Sequence, residues 1–301
     1  MSIPRFPSHL SMFFVGLALS VLLVMASVAQ AQKQASCTFT FFPTIITHPN
    51  AQLFPFGIND FGTVVGVAST TSNTGFIRWP NGGLNFPSGT SLLSSRNDQG
   101  MSLGYDSLGN GIILSNGTVS SAAVSIGGTT YDGLGVSFFS INDWGSIVGL
   151  YSDSAGIAHG FKRWSNGSGF VLNYPAPFTT VNSGTFPTAI NDSGVIVGFT
   201  QIPYHAFVYH KGKWATLQYP HAISTGLSGI SNSGVIVGNA QLANSSTTGF
   251  LYKNGIFKAI LPPNTTGSGV DGISLKSELI LGFAYSNSVF GGREGFIAKC
   301  N

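Results

Sequence analysis

Ten residues recur almost unchanged along this chain: INDFGTVVGV at Ile58–Val67, INDWGSIVGL at Ile141–Leu150 and INDSGVIVGF at Ile190–Phe199. Aligning on the Asn-Asp step brings out three weaker copies, beginning at Arg96 (RND), Ile230 (ISN) and Ile273 (ISL). The six copies follow one another at intervals of 38, 45, 49, 40 and 43 residues. A period of about 43 residues marks a repeat architecture, in which each unit is one supersecondary element that buries its apolar face against its neighbours.

The fourth unit shows what the element is. TAI is a short strand, and NDSG is a tight turn in which Asn and Asp bond nearby backbone and Gly supplies positive φ. VIVGFT is a continuous apolar run, the pattern of a strand buried on both faces. HAFVYH is a third strand, KG a turn, and WATLQYP a fourth strand stopped by Pro220. Asn-Gly stands at the same turn at Asn81-Gly82, Asn116-Gly117, Asn166-Gly167 and Asn254-Gly255, a strong hairpin signal. Pro87, Pro175 and Pro262 stop the equivalent strands. Each unit is a four-stranded antiparallel meander, and six of them predict an all-β, six-bladed β-propeller.

A solenoid is the alternative, and the chain ends decide against it. The sixth copy supplies only three strands, around Ile273, in LILGFAY and in GFIAKC, while CTFTFFP at Cys37–Pro43 is an orphan. CTFTFFP matches the fourth-strand pattern IFKAILP, so the N-terminal strand is expected to close the ring in the last blade. Aligning GFIAKC with GFLYKN puts Cys300 in the place of Asn254. Aligning CTFTFFP with IFKAILP puts Cys37 in the place of Ile256, across the same tight turn. A Cys37–Cys300 disulfide is therefore expected to stand in for the missing turn.

The first 31 residues read as an export signal. Arg5 and His9 precede an apolar run from about Leu10 to Val28, and Ala29 and Ala31 form an A-x-A cleavage site. The run approaches spanning length, so an uncleaved anchor is the alternative. Residues 32–301 then form a single propeller domain, with units starting near 57, 95, 140, 189, 229 and 272. Every later apolar run is broken by Gly, Asn or Ser, so no membrane span is expected there. Charged residues make up only 8% of the chain, the formal charge is +3, and there is no Lys/Arg run. That composition argues against a helical protein and against nucleic acid as a partner. Two cysteines in an exported chain suggest a disulfide rather than a metal site.

The units resemble the HAF-type extracellular repeats of secreted bacterial proteins. Those repeats read approximately IN-x-x-G-x-V-V-G, then H-A-F, then Trp or Tyr and a Gly turn. HAF stands at His205–Phe207, HGF at His159–Phe161, and TGF at Thr74–Phe76 and Thr248–Phe250. The resemblance covers about residues 57–299. It implies secretion and a propeller-like fold, and no common activity. The second and sixth copies depart furthest from it.

Motifs that would carry chemistry are sparse. Asp60, Asp98, Asp143 and Asp192 lie in Asn-Asp-x-Gly contexts and read as turn formers. GSGVDG at Gly267–Gly272 matches G-x-G-x-x-G but lacks the following helix and the acid about 20 residues on that a dinucleotide site needs. His159 and His205 open the third strands of units three and four, and no third ligand at a comparable position supports a metal. No catalytic residue, cofactor or metal is expected. Arg96 falls on the innermost strand where the other copies have Ile, with the side chain expected to snorkel to solvent and a channel site as the alternative. Just before that position stand Gly57, Ser95, Ser140, Ala189, Gly229 and Gly272, small residues suited to a crowded innermost strand.

In a meander, turns one–two and three–four lie on one rim. Phe61, Trp79, Trp144, Trp164 and Trp214 fall there and are expected to cover blade edges, with stacking on sugars as the alternative. The other rim carries connections of variable length, including SIGGTTYDGLGVS, and binding residues concentrate on such loops. Its candidates are Tyr105, Tyr151, Asp153, His159, Tyr204 and His205. The functional expectation is a monomeric secreted or periplasmic module that binds a glycan or an extracellular protein through this rim. Its alternatives are an envelope or matrix structural protein, and a hydrolase or lyase at the mouth of the central channel.

Overall fold

The computed structural model describes residues 34–47, 50–132, 135–175, 184–201, 204–243, 246–285 and 293–301. The proposed signal sequence lies outside the described residues. Blade one runs Asn50–Ile58, Val64–Ser69, Asn73–Arg78 and Leu84–Asn85, with Ile45–Thr47 hairpinned onto the start of its inner strand. Blade two runs Leu92–Arg96, Ser102–Tyr105, Gly111–Ser115 and Thr118–Ser121. Blade three runs Val136–Ile141, Ile147–Ser152, Ala158–Arg163 and Gly169–Leu172, and blade four runs Thr185–Ile190, Ile196–Thr200, His205–His210 and Lys213–Thr216. Blade five runs Ala222–Ile230, Ile236–Leu242, Thr247–Lys253 and Ile256–Ile260. Blade six takes Gly267–Ile273, Leu279–Tyr285 and Arg293–Cys300 from the end of the chain and Cys37–Phe42 from its beginning. The six antiparallel meanders form a six-bladed β-propeller, with no helix among the described residues.

Two features of the repeat build each blade. The first is the glycine of the V-V-G segment. Gly66, Gly149, Gly198, Gly238 and Gly282 pair directly with Phe76, Phe161, Phe207, Phe250 and Phe296 of the third strand. A Cβ on Gly198 would stand 2.1 Å from the Phe186 carbonyl oxygen and 2.8 Å from the Phe207 ring, and the other four glycines are as tightly enclosed. The missing side chain is the seat of the phenylalanine, and all five rings are fully buried. In blade two the ring is replaced by Ile112, opposite Gly104.

The second feature is the Asn-Asp step, which joins blades as well as turning the chain. The Asn Oδ1 closes its own turn, as Asn142 does by accepting the N–H groups of Trp144 and Ser146 at 3.1 and 2.9 Å. Its Nδ2 donates to the next blade: Asn59 to the Asn97 carbonyl, Asn97 to Asn142, Asn142 to Asn191 and Asn191 to Ser231, at 3.3, 2.9, 3.0 and 3.0 Å. The acids form a parallel circuit. The Asp60 N–H donates to the Asp98 carboxylate, Asp98 to Asp143, Asp143 to Asp192, and Asp192 to the Asn232 amide oxygen, at 2.9, 2.9, 3.0 and 3.0 Å. The sixth copy has a longer turn and divides the role. The Leu275 carbonyl accepts the Asn232 N–H at 2.6 Å, and the Lys276 N–H returns to the Asp60 carboxylate at 2.8 Å. The circuit therefore closes through all six blades, and the acids are inter-blade acceptors as well as turn residues.

The ring closes covalently too. The N-terminal strand pairs with Arg293–Cys300, and Cys37 and Cys300 form a disulfide with a Cα separation of 4.0 Å. The register corrects the alignment of this strand by one residue. Phe41 faces Phe296 where Ala259 faces Phe250, so Cys37 takes the place of Gly255 rather than Ile256. The two cysteines occupy both positions of the missing Asn-Gly turn. Ahead of them, the Ala35 N–H donates to the Ala259 carbonyl at 2.8 Å, lashing the chain start to the outer edge of blade five.

Three local expectations are corrected. The long connection after blade two contains a hairpin, Val124–Ile126 with Thr129–Tyr131, turned at Gly127-Gly128 with φ of 57° and 87°. Arg96 is held rather than snorkelled: its guanidinium donates to Ser102 Oγ at 2.7 Å and lies 5.6 Å from the Trp79 ring centroid. Burial depresses its pKa. Phe61 and Trp144 do not cover blade edges but stand out from the turn rim, 67% and 71% exposed.

Replacing both cysteines with serine is expected to lower stability by up to about 5 kcal/mol on the chain-entropy account of so long a loop, read as a large drop in melting temperature. Gly198→Ala, which presses a methyl into the Phe207 seat, is expected to cost about 1–3 kcal/mol in denaturant titrations. A change within about 0.5 kcal/mol would show that the glycine is not needed as the seat.

Candidate binding cavity at the channel mouth

The inner strand of every blade carries a bulge at the same place. The register shifts across Pro55/Gly57, Leu93/Ser95, Phe138/Ser140, Pro187/Ala189, Leu227/Gly229 and Val270/Gly272. A bulge adds one residue and re-aims its side chain. The extra residues are Phe56, Ser94, Phe139, Thr188, Ser228 and Asp271, one per blade, and all six line the central channel. Directly after them come the small residues Gly57, Ser95, Ser140, Ala189, Gly229 and Gly272, which line the narrow waist of about 80 Å³. A Cβ on Gly57 would lie 2.9 Å from the Ser95 Cα of the next blade, so smallness at this position lets inner strands converge.

The bulges leave backbone groups to be satisfied, and specific side chains do so. The hydroxyls of Ser94, Thr188 and Ser228 donate to the carbonyls of Leu103, Val197 and Val237 on the second strand of the same blade, at 3.3, 3.2 and 3.5 Å. Thr188 also donates to the Leu227 carbonyl of blade five at 2.6 Å. Asn239 brackets Val270, accepting its N–H at 2.8 Å and donating to its carbonyl at 2.9 Å. The Tyr105 hydroxyl does the same for Phe138. Tyr105 and Asn239 occupy the same repeat position, just after the V-V-G glycine, and each fixes the next blade at its bulge.

Above the waist, on the rim of variable connections, the channel opens into a cavity of about 540 Å³. All six bulge residues border it, with Tyr105, Phe138, Phe199, Tyr204 and Asn239 among the other lining residues. Its wall in blade four is a ladder of parallel rings. Phe186 and Phe199 are cross-strand partners with centroids 5.1 Å apart and an interplanar angle of 2°, and Tyr204 stacks on Phe199 at 5.3 Å and 17°. Tyr204 is 41% exposed and ends the ladder. Burial raises the phenol pKa of both Tyr105 and Tyr204, keeping them neutral hydrogen-bonding groups. The volume is in the range of small-molecule sites, which are mostly apolar with a few placed polar groups.

The structure places the six sequence candidates in three locations. Tyr105 and Tyr204 line the cavity. Tyr151, Asp153 and His159 form a separate group on blade three: His159 Nε2 lies 3.0 Å from Asp153 Oδ2, its Nδ1 lies 3.1 Å from Asn173 Oδ1, and its ring stacks on Tyr151 at 5.2 Å. His205 is exposed at the start of its strand, 6.3 Å from Tyr174. The bulge ring was missed altogether. Its signal in the sequence is a column of dissimilar residues immediately before a column of small ones.

At the other end of the channel three of the four motif acids, Asp60, Asp98 and Asp143, meet Lys276. Lys276 Nζ reaches Asp143 Oδ2 at 2.6 Å and Asp98 Oδ2 at 3.2 Å. These pairs raise the Lys276 pKa well above its ordinary value. Burial, and then the neighbouring Asp60 carboxylate, push Asp98 up to about 6. Burial would raise Asp60 as well, but hydrogen bonds from Asp98 and from the N–H groups of Ser277 and Lys276 outweigh it and hold the group below its ordinary value. The carboxylates at this end are taken up by the inter-blade circuit. Among the described residues no group of three or more His, Cys, Asp or Glu side chains is placed to hold a metal ion.

No protein-family model matches the sequence, and no curated protein is significantly similar to it. Solved structures share the fold. A crystal structure of a candidate gluconolactonase superposes with a TM-score of 0.53 at 13% identity, covering 90% of this chain and 94% of that one. TolB from Acinetobacter baumannii superposes with a TM-score of 0.50 at 13% identity over 80% of this chain and 65% of that one. At such identities the likeness establishes the propeller and nothing about ligand or chemistry.

Asp98 gives a pH signature. A carboxyl whose folded pKa lies above its unfolded value stabilises fully below the unfolded value, and that contribution is lost as pH rises through the folded one. For Asp98 the window runs from its ordinary value of 3.8 to about 6. Asp60, held low, acts oppositely and only at more acid pH. The wild type is expected to gain stability relative to Asp98→Asn as pH falls from 7 to 5. Identical melting profiles of the two proteins over that range would refute the assignment.

Proposed function

We propose that this chain is an exported binding module of the HAF-repeat kind, and that the cavity on the variable-loop rim is where it takes its ligand. The observation that carries this reading is the contrast between the two ends of the channel. At the turn rim the repeated acids are committed to holding blades together. At the other rim the six blades present Phe, Ser, Phe, Thr, Ser and Asp, and the six surround one aromatic-walled opening. The disulfide supports export, since such bonds persist in oxidising compartments. No helix among the described residues is long and apolar enough to cross a membrane.

A glycan is the ligand class favoured over a protein. A protein partner needs a broad complementary face, on the order of 800 Å² a side, whereas the feature on this rim is concave. The Phe186–Phe199–Tyr204 ladder ends in the exposed Tyr204 ring, whose outer face is not covered by the other two and suits the C–H face of a sugar, and polar groups on the opposite blades lie within the same opening.

Screening the protein on a glycan array, followed by titration of the best ligand, tests the reading. Tyr204→Ala is expected to weaken binding about tenfold or more with little change in melting temperature, consistent with one lost stacking surface and some packing. His159→Ala and His205→Ala, which lie outside the cavity lining, are expected to bind as the wild type does. Loss of binding in the histidine variants with retention in Tyr204→Ala would move the site to the outer face of blades three and four.

A further inference from the structure

We propose that the groove between blades one and two is a second binding site, which takes the carboxylate of an acidic sugar on Arg96. It shares no lining residue with the cavity and does not depend on it. Trp79 stands in the three–four turn of blade one, Gly100 in the one–two turn of blade two and Asn116 in its three–four turn. With Asn85 and Ser88 they border a groove of about 340 Å³, open beside the two-residue outer strand Leu84–Asn85.

One substitution sets this groove apart. Ile58, Ile141, Ile190, Ile230 and Ile273 hold the position of Arg96 in the other five blades, and all five are buried. Blade two gives up that apolar residue for a guanidinium, which closure of the ring does not require. The guanidinium is turned to the groove. Its neighbours are the Trp79 ring, 5.6 Å to the centroid, and Gly100, where an added Cβ would lie 3.5 Å from Nη2. Both line the groove and neither lines the waist.

The charge is left without a counter-ion. Nη1 donates to Ser102 Oγ, Nε is buried with no hydrogen-bond partner, and among the described residues no carboxylate lies within ion-pair distance. Burial depresses the Arg96 pKa, yet a guanidinium stays protonated at neutral pH. A partly desolvated cation in that state favours an anion, and the planar fork of arginine matches a carboxylate. The lining carries no Asp, Glu, Lys or His, so Arg96 sets its sign.

The rest of the lining indicates what bears the carboxylate. Asn85, Ser88 and Asn116 are exposed at the groove, and among the described residues their side chains make no hydrogen bond. The cavity differs here, because the hydroxyls of Ser94, Thr188 and Ser228 are bonded to backbone. One fixed cation, one aromatic ring and free amide and hydroxyl groups suit a pyranose with a carboxylate. Its hydroxyls meet the Asn and Ser side chains, and its C–H surface meets Trp79.

The test is an NMR titration of the folded, disulfide-closed chain at constant ionic strength, following the Trp79 indole N–H, assigned with Trp79→Phe. The probes are the methyl glycosides of glucuronate, galacturonate and mannuronate, the methyl ester of each, and inorganic sulfate. At least one uronate is expected to shift the Trp79 signal and to bind about tenfold or more tighter than its ester, the ratio that a charge-assisted contact supplies. Arg96→Ile, which restores the residue of the other five blades, is expected to abolish that preference with the melting temperature unchanged or raised. Asn116→Asp keeps a good hairpin turn and adds a carboxylate to the groove. It is expected to weaken the uronate about two- to fivefold, the range of an exposed charge pair, and to leave the ester as in the wild type.

No shift of the Trp79 signal by any of the three uronates, esters that bind as tightly as the acids, or a preference that survives Arg96→Ile overturns the inference. Sulfate that binds as tightly as the best uronate overturns it too, since the groove would then recognise a bare anion. The cavity reading fails separately. Tyr204→Ala is expected to leave the uronate titration at Trp79 unchanged. Loss of the array ligand in Tyr204→Ala with no uronate response at Trp79 would sustain the cavity and remove the groove.

Discussion

The circuit of hydrogen bonds that passes from one Asn-Asp turn to the next is the constraint on which the rest of this structure depends. A single repeat unit cannot bury its apolar face alone, and its neighbours must sit at a fixed spacing and tilt if six are to close. The turn supplies that spacing in its own backbone. One side chain, the Asn, both caps its turn and reaches the carbonyl of the next. The other, the Asp, accepts the N–H of the turn before. Because donor and acceptor belong to equivalent positions, the sequence separations of the acid bonds, 38, 45, 49 and 40, are the repeat intervals themselves. Selection for closure is therefore selection for the motif, which is why it is spelled nearly alike in copies that otherwise share little.

Closure concentrates its compromises in the sixth blade. That blade joins two chain ends, and its turn replaces Asn by Ser274 and the acid by the Leu275–Lys276 pair. Splitting acceptor and donor between two residues preserves the circuit and puts an ammonium group among the carboxylates that the circuit gathers. Lys276 thus offsets the repulsion that an Asp in the sixth blade would add. The disulfide answers the other difficulty of that blade, a hairpin whose turn has been cut.

The fold was legible because its determinants are local and repeated. The Asn-Gly and Asn-Asp turns, the V-V-G strand and the terminal prolines each specify a conformation within a few residues, and six weak signals in register amount to one strong one. The Cys37–Cys300 pairing followed from the same alignment, although the proline stop misplaced the strand by one residue. The cavity was not legible in this way. Of the residues that the variable connections suggested, Tyr105 and Tyr204 border the cavity, and Tyr151, Asp153 and His159 stand together apart from it. The bulge ring escaped because a bulge is a difference between two strands' registers. Nothing in TAI or SGI alone shows that an extra residue is aimed at the axis.

The bulge also explains how a repeat protein can differ at its centre without endangering its ring. The residue it inserts does not pair in the ladder, and the small residue after it sets the approach of the blades. The hydroxyls of Ser94, Thr188 and Ser228 tidy the local backbone, yet the same place accepts Phe56, Phe139 and Asp271. Fixed chemistry and free chemistry are thus separated by one residue along every inner strand. Where the ladder does not dictate a position in any of the six blades, and the six converge on one opening, the side chains found there are open to what enters it, even where one, Thr188, also bonds the next blade.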